Sequence, residues 1–133
     1  MKKIIVLLSA LFFVQFTFSQ EFLDPVTWDV SVEKEEGNLY NILMTATLEK
    51  GWHTYSQKQF GPEFEGPIPT EFTFNASEST FKLVGTTKEP EIQPIYDPVF
   101  EMDVVYFSDK VTFIQQIEVI QAEGLKIIAE VYY

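Results

Sequence analysis

Side chains able to do chemistry are few in this chain, and their spacing is uninformative for most reactions. His53 is the only histidine, set between Trp52 and Tyr55 in GWHTYSQ, while Asp and Glu number twenty and cysteine is absent. One histidine allows neither a His-based zinc site nor a Ser-His-Asp triad at any recognisable spacing. As a strand-end ring among aromatics, His53 reads as a packing residue rather than a catalyst. The carboxylates could pair as in a glycosidase or hold calcium, but no loop alternates Asp and Asn around a Gly as a dedicated calcium loop does. No metal and no cofactor is expected. Asn75-Ala76-Ser77 matches the N-glycosylation triplet, which matters only in a source that glycosylates such sites.

Aromatic residues are the richer signal, with thirteen Phe, six Tyr and two Trp. Trp52, Tyr55, Tyr96, Phe100, Tyr106 and Phe107 are expected to fill a core, as large rings commonly do. Phe100 has a second reading, because it sits in the proline-bounded stretch YDPVFE, where a core strand is disfavoured. It is either a lid over a neighbouring site or an anchor into the interior.

The elements that must position these rings are strands. Apolar residues recur at every second position in short runs rich in Val, Ile, Thr and Phe, which predicts an all-β chain. Strands are expected near Val26 to Glu33, Leu39 to Leu48, His53 to Ser56, Thr70 to Asn75, Phe81 to Gly85, Val104 to Phe107, Lys110 to Ile120 and Lys126 to Tyr133. Turns are expected at Glu36-Gly37-Asn38, Glu49-Lys50-Gly51, Ser108-Asp109 and Glu123-Gly124. Seven or eight such strands suggest an immunoglobulin-like two-sheet sandwich, with a small barrel as the alternative. Two long connections, Gln57 to Pro69 and Lys88 to Asp103, are too proline-rich for central strands.

Met1 to Ser19 has the form of a secretory signal peptide: Lys2 and Lys3, an apolar run from Ile4 to Val14, then small residues Thr17 and Ser19 before Gln20. The run is too short to span a bilayer as a helix, so an exported, soluble chain is expected. Residues 20–133 are then one domain's worth of chain. That domain carries seven Lys against twenty carboxylates and no Arg, a formal charge of −13. Nucleic acid is an unsuitable partner for such a surface, since phosphate binding needs basic charge. Without cysteine there is no lipoprotein acylation and no disulfide, and the core alone must hold the fold.

Four motifs occur in order over nearly the whole domain: DPVTW at Asp24 to Trp28, LEKGWHTYSQ at Leu48 to Gln57, GPIPTEFTF at Gly66 to Phe74, and YDPVFEMDVVYF through VTFIQQIEV at Tyr96 to Val119. Together they resemble the N-terminal periplasmic domain of the thiol:disulfide interchange protein DsbD family. The resemblance implies an immunoglobulin-like sandwich that relays reducing equivalents from a membrane electron-transfer module to periplasmic thioredoxin-like domains or oxidised proteins, serving cytochrome c maturation and disulfide correction. It also implies a cap loop around Tyr96, Asp97 and Phe100, whose ring shields a cysteine pair, and a site lined by Trp52, His53 and Tyr55. The family's cysteines follow the strand that matches Lys126 to Tyr133, so the chain is expected to be cut just short of them. Thiol-disulfide exchange needs a thiolate, and the chain as it stands is not expected to be an enzyme. The alternative is a cysteine-free periplasmic sandwich acting as a protein-binding or adaptor module.

Overall fold

The computed structural model describes residues 24–133; the expected signal peptide, Met1 to Ser19, lies outside the described residues. The described chain is all-β. Ten strands follow in order: β1 (Val26–Glu36), β2 (Leu39–Leu48), β3 (His53–Tyr55), β4 (Glu71–Phe74), β5 (Phe81–Lys88), β6 (Ile95–Asp97), β7 (Met102–Val104), β8 (Tyr106–Ser108), β9 (Lys110–Val119) and β10 (Ala129–Tyr132). The long strands form one antiparallel sheet in the order β1-β2-β9-β5, and the short ones pair as β10-β4, β3-β8 and β6-β7.

The two central strands of the long sheet, β2 and β9, alternate in burial. In β2, Ile42, Met44, Ala46 and Leu48 are buried, and in β9 Val111, Phe113, Gln115 and Ile117 are, so one face of each strand is interior. Register places Met44 opposite Phe113 and Ala46 opposite Val111 on that face. On the other face Thr45 and Thr112, also opposite, join their hydroxyls at 2.9 Å. The β1–β2 turn uses Gly37 at φ 55°, a left-handed conformation that costs glycine little.

The short strands cover the inner face. Phe72 and Phe74 of β4 and Ala129 of β10 pack on the buried cluster, which Phe107 of β8 joins. Phe113 is the centre: its ring lies 5.0 Å from Phe72 and 5.7 Å from Phe107, both with tilted or edge geometry. Two packed layers of antiparallel strands around one core are the arrangement of a β-sandwich.

Four expected strands change shape, the first of them β1, which runs three residues past Glu33 to Glu36 through a register shift. Lys126 to Tyr133 is a ladder strand only from Ala129, because Asn75 takes over the pairing at Lys126 and Ile128 with its side chain. Its Nδ2 donates to the Lys126 carbonyl at 2.8 Å, and its Oδ1 accepts from the Ile128 N–H at 2.7 Å. Val104 to Phe107 is two strands, since Val104 and Val105 are both buried and break the alternation. Val104 stays with β6, whereas Val105 gives its carbonyl to the Ser56 N–H at 3.0 Å. Finally, β5 runs past Gly85 to Lys88 through a register shift. Buried Gln115 bridges the irregularity, donating to the Val84 and Gly85 carbonyls and accepting from the Thr87 hydroxyl at 2.9 Å. The expected aromatic filling also needs correction. Of the six rings, only Phe107 is in the buried core; Trp52 and Tyr96 are exposed, and Tyr55, Phe100 and Tyr106 are half-buried.

Candidate functional site

Strand β3 is only three residues long, yet its position is tightly defined. It pairs with β8 in the register His53–Ser108, Thr54–Phe107 and Tyr55–Tyr106. Thr54 points inward and is buried, and its hydroxyl meets that of buried Thr70 at 2.9 Å. Thr70 spends its single O–H on the Tyr55 carbonyl at 2.6 Å, so Thr54 is the donor between the two hydroxyls. Just beyond the strand, Ser56 donates to Glu89 Oε1 at 2.8 Å and the Gln57 N–H reaches the same oxygen at 3.2 Å. These bonds fix β3 where its ladder is too short to do so.

Alternation then sends His53 and Tyr55 to the opposite face from Thr54. Their side chains interact, His53 Nε2 lying 3.3 Å from the Tyr55 hydroxyl with the rings edge to face. His53 also packs on Tyr106, diagonal to it across the ladder, with centroids 4.4 Å apart. It is thus a packing ring, but one laid on an exposed surface.

Opposite stands the β6–β7 hairpin, which presents Phe100. Asp97 Oδ1 accepts from the Val99 N–H at 2.7 Å and from the Phe100 N–H at 3.3 Å, a side-chain-closed turn to which Pro98 contributes a fixed φ. Glu101 completes the reversal at φ 55°. The Phe100 ring meets Tyr55 edge to face at 6.2 Å.

Between hairpin and β3 lies an apolar cavity of about 400 Å³, lined by Trp52, His53, Tyr55, Pro67, Phe100 and Tyr133 among others. Four of the six site residues expected from sequence therefore share one cavity wall. Tyr96 and Asp97 do not line it: Tyr96 is 62% exposed, and Asp97 shapes the turn behind Phe100. Pro67, Ile68 and Tyr133 also line the cavity, and Tyr106 packs beside His53, none of them expected as site residues from the motifs. The prolines of GPIPT were a visible signal for the first two; Tyr106 becomes a neighbour of His53 only once the β3–β8 register is known. Tyr133 is held against Trp28, the centroids 5.6 Å apart.

Burial raises the Tyr55 pKa above its ordinary value of 10.0, helped by the nearby negative charge of Asp97 and by Tyr106. The phenol therefore stays protonated and is poised to hydrogen-bond, not to act as a base at neutral pH. Among the described residues, no group of three or more His, Asp or Glu is placed to hold a metal ion. What the arrangement offers is an apolar receptacle, one of whose wall rings, Phe100, is carried on a separate hairpin. No protein-family model, no curated protein and no solved structure matches the chain.

Proposed function

We propose that the chain supplies the capped pocket of a DsbD-type N-terminal periplasmic domain with an immunoglobulin-like sandwich, taking part in the relay of reducing equivalents by thiol-disulfide exchange. The observation that carries this reading is Phe100: a half-buried ring on its own hairpin, in contact with Tyr55 at the wall of an apolar cavity. The four ordered motifs of the sequence support it independently.

The chain's own residues shield and dock. Phe100 restricts access to the cavity, Asp97 preorganises the turn that carries it, and Trp52, His53 and Tyr55 form the wall against which it rests. A thioredoxin-like periplasmic domain, or an oxidised protein, displaces the ring on docking, as access control of a reactive sulfur requires. None of the 133 residues is a cysteine, so the sulfur chemistry itself is not assigned to any residue here. Export through the Met1 to Ser19 segment would deliver the domain to the periplasm, where a membrane electron-transfer module would be its reductant.

A second reading, a cysteine-free adaptor that binds protein without redox chemistry, is favoured by the exposure of Trp52, Ile68 and Tyr132. One experiment separates shielding from plain adhesion. The absence of native cysteine makes Tyr133→Cys a single-thiol reporter on the cavity wall. Its alkylation should accelerate several-fold when Phe100→Ala is added, and slow when an oxidised thioredoxin-like domain is present. Equal alkylation rates with and without the Phe100 ring would remove the cap.

A further inference from the structure

Next to the capped cavity, the loop between β3 and β4 displays a side chain that folding alone does not explain. Phe64 is 93% exposed and sits at φ 68°, a conformation unusual for a bulky residue. Exposed Glu63 and Glu65 flank it, and the Glu65 N–H closes a turn onto the Pro62 carbonyl at 3.1 Å. The loop's base is closely packed. A Cβ added at Gly61 would fall 2.8 Å from Met102 Cε, and one at Gly66 would fall 2.3 Å from the Phe60 carbonyl oxygen. Phe64 is thus held outward on a packed base, a cost that outlier conformations commonly carry where a surface has a task.

A trough of about 270 Å³ runs beneath it, between this loop and the β4–β10 ladder, lined by Phe64, Ile68, Pro69, Glu71, Tyr132 and Glu63 among others. Pro67 and Ile68 line both this trough and the capped cavity, so the two adjoin. Ile68 and Tyr132 are 55% and 63% exposed. The trough's charges are carboxylates only, and neither cavity has a lysine in its wall.

Charge selects the occupant. A second copy would bring the same excess of acid, as twenty Asp and Glu face nine Lys in the whole chain, and anionic lipid or nucleic acid would be repelled likewise. We propose that the trough docks an extended, basic segment of a protein partner. An apolar side chain of that segment enters between Phe64 and Tyr132, and an adjacent lysine or arginine meets Glu63 and Glu71. Aromatic faces beside the carboxylates favour a cation further. The proposal goes beyond the capped cavity and does not depend on it.

The test uses the full chain and a short synthetic peptide alternating lysine with leucine and phenylalanine, beside versions with glutamine or glutamate replacing the lysines. Amide resonances of Ile68 and Tyr132 should shift saturably with the lysine peptide. Its affinity should fall with added salt, and by roughly fivefold in the Glu63→Gln, Glu71→Gln double variant, as expected for two exposed ion pairs. Phe64→Ala should weaken it as well, with circular dichroism confirming that each variant remains folded. Absence of binding, equal binding of all three peptides, or unchanged affinity in the double variant would overturn the proposal. Shifts confined to His53 and Phe100 would also overturn it, by placing the peptide in the capped cavity.

Discussion

The four-stranded sheet and the layer that carries the candidate site are built on different principles. Strands β1, β2 and β9 run for ten or eleven residues, and the inner faces of β2 and β9 supply fully buried Ile42, Met44, Phe113 and Ile117. In the other layer β3, β8 and β10 span three or four residues, and β3 is positioned by Thr70, Ser56 and Glu89. Hydrophobic burial is non-directional, whereas hydrogen bonds to buried groups specify position at modest net energy. Stability thus resides mainly in the long sheet and placement of the site in the short strands.

The largest effect should come from the sheet. Phe113→Ala leaves a void beneath Phe72 and Phe107 and is expected to cost about 3–5 kcal/mol, the range for a large buried ring, read as a lowered midpoint in chemical denaturation. Site geometry in whatever remains folded should be little altered. Glu89→Ala probes the other principle. Ser56, only 1% exposed, and the Gln57 N–H would both lose their acceptor, an expected cost of about 1–3 kcal/mol. Hydrogen exchange should quicken first at β3, not across β2 and β9. Glu89→Gln keeps the Oε1 acceptor and should retain most of the stability; equal loss in both variants would show that charge, not acceptor geometry, matters there.

The same division governs what could be read from sequence. Leu39 to Leu48 was legible to the residue, because a strand-forming run is bounded by the turn residues Gly37-Asn38 and Glu49-Lys50-Gly51. The β6–β7 hairpin was not, since Pro94 and Pro98 flank Ile95–Asp97 and mask a strand that needs only one partner. Val104 and Val105 look like one strand in sequence; their consecutive burial shows a crossing between two pairings. For the site, motif order brought Trp52, His53, Tyr55 and Phe100 together as a group. It could not supply the Tyr106 contact, which requires register, nor the outward Phe64, whose left-handed backbone at φ 68° leaves no periodic trace. Short strands fixed by side-chain bonds leave little periodic signal.

The smallest expected effect concerns charge at the boundary between hairpin and β3. The folded state raises the Tyr55 pKa, first through burial and then through Asp97 and Tyr106. An acid with a raised folded-state pKa holds its proton longer than the unfolded chain does. Its contribution to stability is therefore fully present below the ordinary value of 10.0 and is lost as pH rises from there through the folded-state value. No stability change from Tyr55 is expected at or below neutral pH. Asp97→Asn keeps a side-chain oxygen to accept from Val99 and Phe100 but removes the charge, so Tyr55 should ionise at a somewhat lower pH, with burial still holding it above the ordinary value. Ultraviolet difference titration of wild type, Asp97→Asn and a Tyr55→Phe control isolates that tyrosinate signal. A Tyr55 that titrates identically in the first two would mean that the hairpin does not hold the Asp97 carboxylate close enough to act on β3.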